Sequence, residues 1–179
     1  FLFSSKVTDI VLSENNLLKG VEINGSTMIE SDIIVAALGH SARDTFEMLA
    51  KKPLRMETKA FAMGVRIEHP QELIGRSQYG DAYKELPAAD YKLTHQCENC
   101  RGVYSFCMCP GGFVVNASSE EGRTVVNGMS NHDRSEKNAN SALIVTVTPE
   151  DFLAEGYTGP LAGVKFQRKW EEAAYREGN

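Results

Sequence analysis

Four thiols crowd into thirteen residues, Cys97, Cys100, Cys107 and Cys109, and the last two frame the segment CMCPGG. Cys107 and Cys109 are two apart on a stretch that reads as a strand. On a regular strand they share one face and can act as redox partners or as neighbours of a redox ring. Pro110-Gly111-Gly112 follows as a turn whose bare backbone can lie against a flat ring. The inert alternative is that both thiols are buried and behave as small apolar residues, with Met108 between them in the core. All four thiolates together would also be enough for a tetrahedral zinc site. The single-residue gap of Cys107-x-Cys109 is wrong for a zinc knuckle, so no metal ligands are assigned.

A polar stretch follows, with Asn127, Ser130, Asn131, His132, Arg134, Asn138, Asn140 and Ser141 read as a loop between two strands. Arg134 is the group there that can hold an anionic substrate or the polar edge of a cofactor; a solvated turn-rich loop is the plain alternative. His40, His69, His95 and His132 are the side chains able to exchange protons near neutral pH. His95 is a candidate for orienting a substrate, whereas most of the histidines are expected to be structural or solvated. Near the start, Ala37-Leu38-Gly39 ends an apolar run and is followed by His40, Ser41 and Arg43. A glycine there lets backbone approach a ligand, and Arg43 is placed either to reach a phosphate or to pair with a nearby carboxylate such as Asp44.

These residues need elements to position them. Segment 4–12 alternates, 17–23 continues the strand pattern, and Asn24-Gly25 is a strong hairpin signal leading into Thr27–Ile29. Ile33–Leu38 is apolar on both faces, as a fully buried strand requires. Ser41 and Asp44 resemble a helix start, Phe46, Leu49 and Ala50 form its apolar face, and Pro53 closes it. Strands are expected at 60–68, 91–95, 103–107, 113–117, 124–129 and 142–148. Short helices are expected at 70–74 and after Pro149, a longer one from Pro160 to about Arg176, and mostly loop over 75–102. The sum is an α+β chain in two parts. Residues 1–52 form a meander, a buried strand, a glycine turn and a helix; residues 53–179 form a strand-rich, mostly antiparallel unit with helices at its end.

Bulk properties narrow the function. A net charge of -5 with scattered basic residues leaves no footprint for nucleic acid. The apolar runs are far shorter than a membrane span, and clustered thiols without a spread disulfide framework suit a reducing cytoplasm. With no initiator Met and no signal-peptide pattern, FLFSSKVTDI reads as the continuation of a longer polypeptide.

The stretch from VTDIVLSENNLLKG through AALGHSA resembles the rear of the FAD-binding domain of two-dinucleotide-binding flavoproteins. There a comparable strand ends in Ala-Thr-Gly; Leu38 replaces the Thr, so a hydroxyl contact is lost. FAMGVRIEHPQELI, FCMCPGG and NGMS together resemble the FAD-dependent, or NAD(FAD)-utilizing, dehydrogenases over nearly the whole chain. The resemblance implies an FAD-dependent oxidoreductase in the full-length protein, of unknown substrate, with NAD(P)H as an available electron partner. It also implies that Gly39, His40, Ser41, Arg43, Pro110, Gly111 and Gly112 border the flavin. Cys107, Cys109, His95 and Arg134 would serve a small-molecule substrate. No GxGxxG fingerprint is present, so the nucleotide cradle belongs to parts of the same polypeptide before and after these residues, and the piece alone is expected to bind FAD weakly and to be inactive. The alternative is a stand-alone binding module, zinc-stabilised through Cys97, Cys100, Cys107 and Cys109.

Overall fold

The computed structural model describes residues 1–178 and divides into two compact units. One comprises Phe1–Thr58 with Phe152–Phe166; the other comprises Lys59–Asp151 with the segment that starts at Gln167. Each is described by itself.

The first unit opens with an antiparallel meander of β1 (Val7–Leu12), β2 (Leu18–Ile23) and β3 (Thr27–Glu30). Asn24 and Gly25 take φ of 53° and 70°, the left-handed pair a tight hairpin needs, and Ser26 N closes the turn on Ile23 O at 3.1 Å. The Asn24 side chain also ties down the preceding chain, accepting from Lys6 N and donating to Ser4 O, each at 2.9 Å. Helix α1 (Arg43–Leu49) starts one residue later than a Ser41 cap suggests, with Ala42 at its cap position and no side-chain cap bond. Lys6 takes Asp44 in an ion pair, and Lys52 bonds Asp9 of β1 at 2.6 Å. Phe152 and Phe166 belong to the same unit and stack with ring centroids 5.2 Å apart.

The expected buried strand at Ile33–Leu38 does not form. The segment carries no strand pairing, and Ile33 and Val35 are 79% and 85% exposed. An apolar run becomes a strand only when neighbours supply the ladder, and none of the nine strands among the described residues pairs with it.

The second unit is built on a four-stranded antiparallel sheet. Its strands are β4 (Phe61–Pro70), β5 (Thr94–Gln96), β6 (Gly102–Cys109) and β9 (Asn138–Val147), in the order β4-β9-β6-β5. Strands β7 (Gly112–Asn116) and β8 (Val126–Ser130) form a separate hairpin sheet. β4 and β9 pair without a break from Phe61↔Val147 to Pro70↔Asn138, which makes β9 the spine. Ala139, Asn140 and Ser141 are fully buried there. The polar stretch read as one loop is thus two strand segments joined by a short connection, because ladder pairing overrides the turn preference of Asn and Ser.

After Pro70 the chain enters α2 (Gln71–Tyr79) and a 3-10 helix at Gly80–Lys84, where loop was expected. Helix α3 (Pro149–Ala154) begins at the expected proline, and α4 spans Ala162–Glu177. Within this unit, Glu120 bridges Arg123 and Arg168, and Arg123 also holds Glu172 at 2.6 Å. The network fixes the C-terminal part of α4 against the segment between β7 and β8. The α+β, mostly antiparallel architecture expected from the sequence is the one observed. Among the described residues no helix is long and apolar enough to cross a membrane.

Candidate functional site

Strand β6 loses its regular alternation at its end. Pairing with β9 runs from Val103↔Val145 to Phe106↔Ala142, then shifts before Cys109↔Asn140. The extra residue is absorbed at Cys107, which takes φ of 51°, a conformation uncommon for a side chain with a β-carbon. The bulge separates the two thiols that a regular strand would place on one face. Cys107 is exposed, whereas Cys109 is buried and donates its thiol to Cys107 O at 3.4 Å.

Arg66 of β4 fixes the other side of the bulge. Its Nη1 donates to Cys107 O at 3.2 Å and to Asn140 Oδ1 at 2.7 Å. Gly128 makes the space, since a β-carbon there would lie 2.2 Å from Asn140 Oδ1 and 2.3 Å from Arg66 Nη1. Asn140 is wholly buried, and its Nδ2 has no hydrogen-bond partner. The two bonds account for Nη1, so the Nε and Nη2 hydrogens of Arg66 are unclaimed by acceptors among the described residues.

The CPGG turn is pinned from several directions. Gly111 N donates to Gln71 Oε1 at 2.7 Å, and Ser130 Oγ donates to Pro110 O at 2.7 Å. Gly111 has φ of 47°, and a β-carbon on it would sit 1.7 Å from Arg134 O; one on Gly112 would sit 2.1 Å from Met129 O. Pro110, Gly111 and Gly112 are buried. The lack of side chains on Gly111 and Gly112 makes room for the protein's own backbone at Arg134 and Met129. Beside the turn lies a cavity of about 470 Å³ bordered by Met108, Cys109, Pro110, Met129, His132 and Arg134. Arg134 has φ of 51°, is exposed, and has no carboxylate partner among the described residues.

The structure therefore brings Cys109, Pro110, His132 and Arg134 to one cavity, with Gly111 and Gly112 packed behind it and Cys107 on the bulge that precedes it. His95 stands apart: it lies on edge strand β5 opposite Val103. In the first unit Gly39, His40 and Ser41 lie in the exposed stretch before α1. Gly39 has φ of 69°, and a β-carbon there would meet nothing within 4 Å. Unlike the CPGG glycines, it faces open space. Arg43 is 3% exposed, and Asp44 beside it pairs with Lys6.

The four thiols do not assemble. Cys97 and Cys100 close a turn ahead of β6, with Cys100 N bonded to Cys97 O at 2.9 Å, while Cys107 and Cys109 end that strand. Five residues of strand separate Gly102 from Cys107, about 16 Å at ~3.3 Å per residue, so one ion with Zn–S bonds of about 2.3 Å cannot reach both pairs. Among the described residues no three His, Cys, Asp or Glu side chains gather as a metal site would need.

Sequence reasoning missed Arg66 and Gln71, and placed Asn140 in a loop. The available signal was an arginine inside the otherwise apolar alternation of FAMGVRIEH, which calls for a partner.

The unit is thus an antiparallel α+β domain with a thiol-bearing bulge at the end of β6. The family follows from comparison. Residues 60–179 match the family described as "FAD-dependent protein, C-terminal domain-like", and the chain belongs to that family. A protein of Clostridium beijerinckii described as "Uncharacterized protein" is 54% identical over 179 residues, covering 98% of this chain. The chain spans 33% of that relative's length.

Proposed function

We propose that this chain is part of an FAD-dependent oxidoreductase that dehydrogenates or reduces a small molecule, with the flavin bound only in the complete polypeptide. The observation that carries the reading is the β6 bulge, which holds Cys107 in a left-handed conformation with its carbonyl on Arg66 and leads directly into Met108, Cys109 and Pro110, which line a cavity edged by Arg134. Strained non-glycine residues concentrate at sites of ligand handling, and membership of an FAD-dependent family supplies the chemical context. Gly39, His40 and Ser41 are the residues of this chain that would hold the cofactor, through main chain and short polar side chains. When bound, the flavin supplies the two-electron chemistry.

The chain's own side chains then bind and orient. The Arg134 guanidinium attracts an anionic group on the substrate, and Cys109 lines the same cavity. Cys109 acts as a positioning residue by donating to Cys107 O. His95 has no part in this group. Turnover of the complete polypeptide, with NADH and NADPH each offered as electron partner, tests the assignment. Arg134→Gln is expected to raise KM about tenfold with a smaller change in kcat, as loss of a charge-assisted contact does. Unchanged turnover in both Arg134→Gln and Cys107→Ser would overturn it.

A further inference from the structure

We propose that a groove across the β4–β9 sheet, under α4, binds a carboxylic acid with an apolar body, and that Arg66 receives the carboxylate. The groove has a volume of about 360 Å³. Gly64, Ala142, Ile144, Val126, Trp170 and Ala174 form most of its walls, and Arg66 lines one end. Pockets of this size, apolar with few polar groups, are the usual form of small-molecule sites.

The charge is placed at one end only. Arg66 has no carboxylate partner among the described residues, and its Nη1 is locked by Asn140 Oδ1 and Cys107 O. The Nε–Nη2 edge remains available, and that edge matches a carboxylate with two parallel hydrogen bonds. Glu171 borders the groove near Thr124, whose N–H bonds Glu171 O at 3.0 Å. Thr124 and Gly128 are four residues apart on an extended segment, about 13 Å at ~3.3 Å per residue, so the acidic residue belongs to the far end. Between the ends the lining is aliphatic and aromatic, which selects a hydrocarbon body over a second charged group. A guanidinium already aligned by a buried amide also loses little freedom on binding.

The inference goes beyond the functional reading: the groove is a second site, separate from the cavity edged by Arg134 and joined to it only through Arg66, which also holds the Cys107 carbonyl. Its test needs no flavin, so the two stand or fall separately. Trp170 is the only tryptophan of the chain and lines the groove, so its emission reports occupancy. Octanoate and octanamide are titrated against the full chain. Saturable quenching or enhancement by octanoate is expected, with octanamide about 10- to 100-fold weaker. Arg66→Gln is expected to bring octanoate down to the octanamide level. Ala174→Leu places a larger side chain on an exposed helical position at the groove wall, leaves Arg66 in place, and is expected to abolish the response to both probes. Equal affinity for acid and amide, no response to octanoate, or full octanoate binding by Ala174→Leu would each overturn the proposal.

Discussion

The carbonyl oxygen of Arg134 occupies the space that a β-carbon on Gly111 would need, 1.7 Å from its ideal position. The contact joins the CPGG turn to the turn that carries the candidate anion-binding arginine. Both residues have positive φ, 47° for Gly111 and 51° for Arg134. Gly111→Ala must move backbone as well as adopt a disfavoured φ. A loss of about 3 kcal/mol or more is expected, read as a lower urea midpoint with an unchanged slope. A midpoint within error of the parent would show that the crossing is loose.

The bulge at Cys107 makes the thiols unequal. Cys107 and Cys100 are exposed, Cys97 is partly covered and Cys109 is buried. Under native conditions iodoacetamide is expected to label Cys107 and Cys100 first and Cys109 last, with Cys109 reacting only after unfolding. Peptide mass spectrometry against time gives the order. Rapid labelling of Cys109 would mean that β6 runs regularly and both thiols share a face.

Asp151 sets an acid limb on stability. Its carboxylate accepts from Arg101 at 2.7 and 3.0 Å and from Thr148 N at 2.8 Å, and the arginine bonds hold its pKa at about 2, below the reference 3.8. A depressed folded pKa contributes stability that is complete above the unfolded value and is lost as pH falls through the folded one. The parent is therefore expected to lose about 1 kcal/mol between the reference value and about 2, allowing for the solvent exposure of the pair. Asp151→Asn lacks this part of the pH dependence. Parallel acid-unfolding curves for parent and variant would contradict the assignment.

The sequence made the meander legible because Asn24-Gly25 satisfies its turn locally. It made β4, β6, β7 and the helix at Pro149 legible because their patterns and punctuation are local as well. It misplaced Ile33–Leu38, whose apolarity on both faces describes a need for neighbours but does not supply them. It also read Asn138–Ser141 as loop, since only pairing with β4 turns those polar residues into a buried strand start. For the candidate site, residue types pointed to the CPGG turn but not to what its glycines accommodate. Gly111 and Gly112 accommodate Arg134 and Met129, residues that become neighbours only after folding. Arg66 and Asn140 are 74 positions apart, and nothing local announces their bond.

Flavin content tests the central claim most directly. The complete polypeptide, purified without added cofactor, and this chain alone are compared by visible absorbance and by the FAD released on denaturation. The account predicts a yellow complete protein with stoichiometric FAD that bleaches under anaerobic reductant, and a colourless short chain. A colourless complete protein that takes up no added FAD would contradict it, as would stoichiometric FAD held tightly by this chain alone.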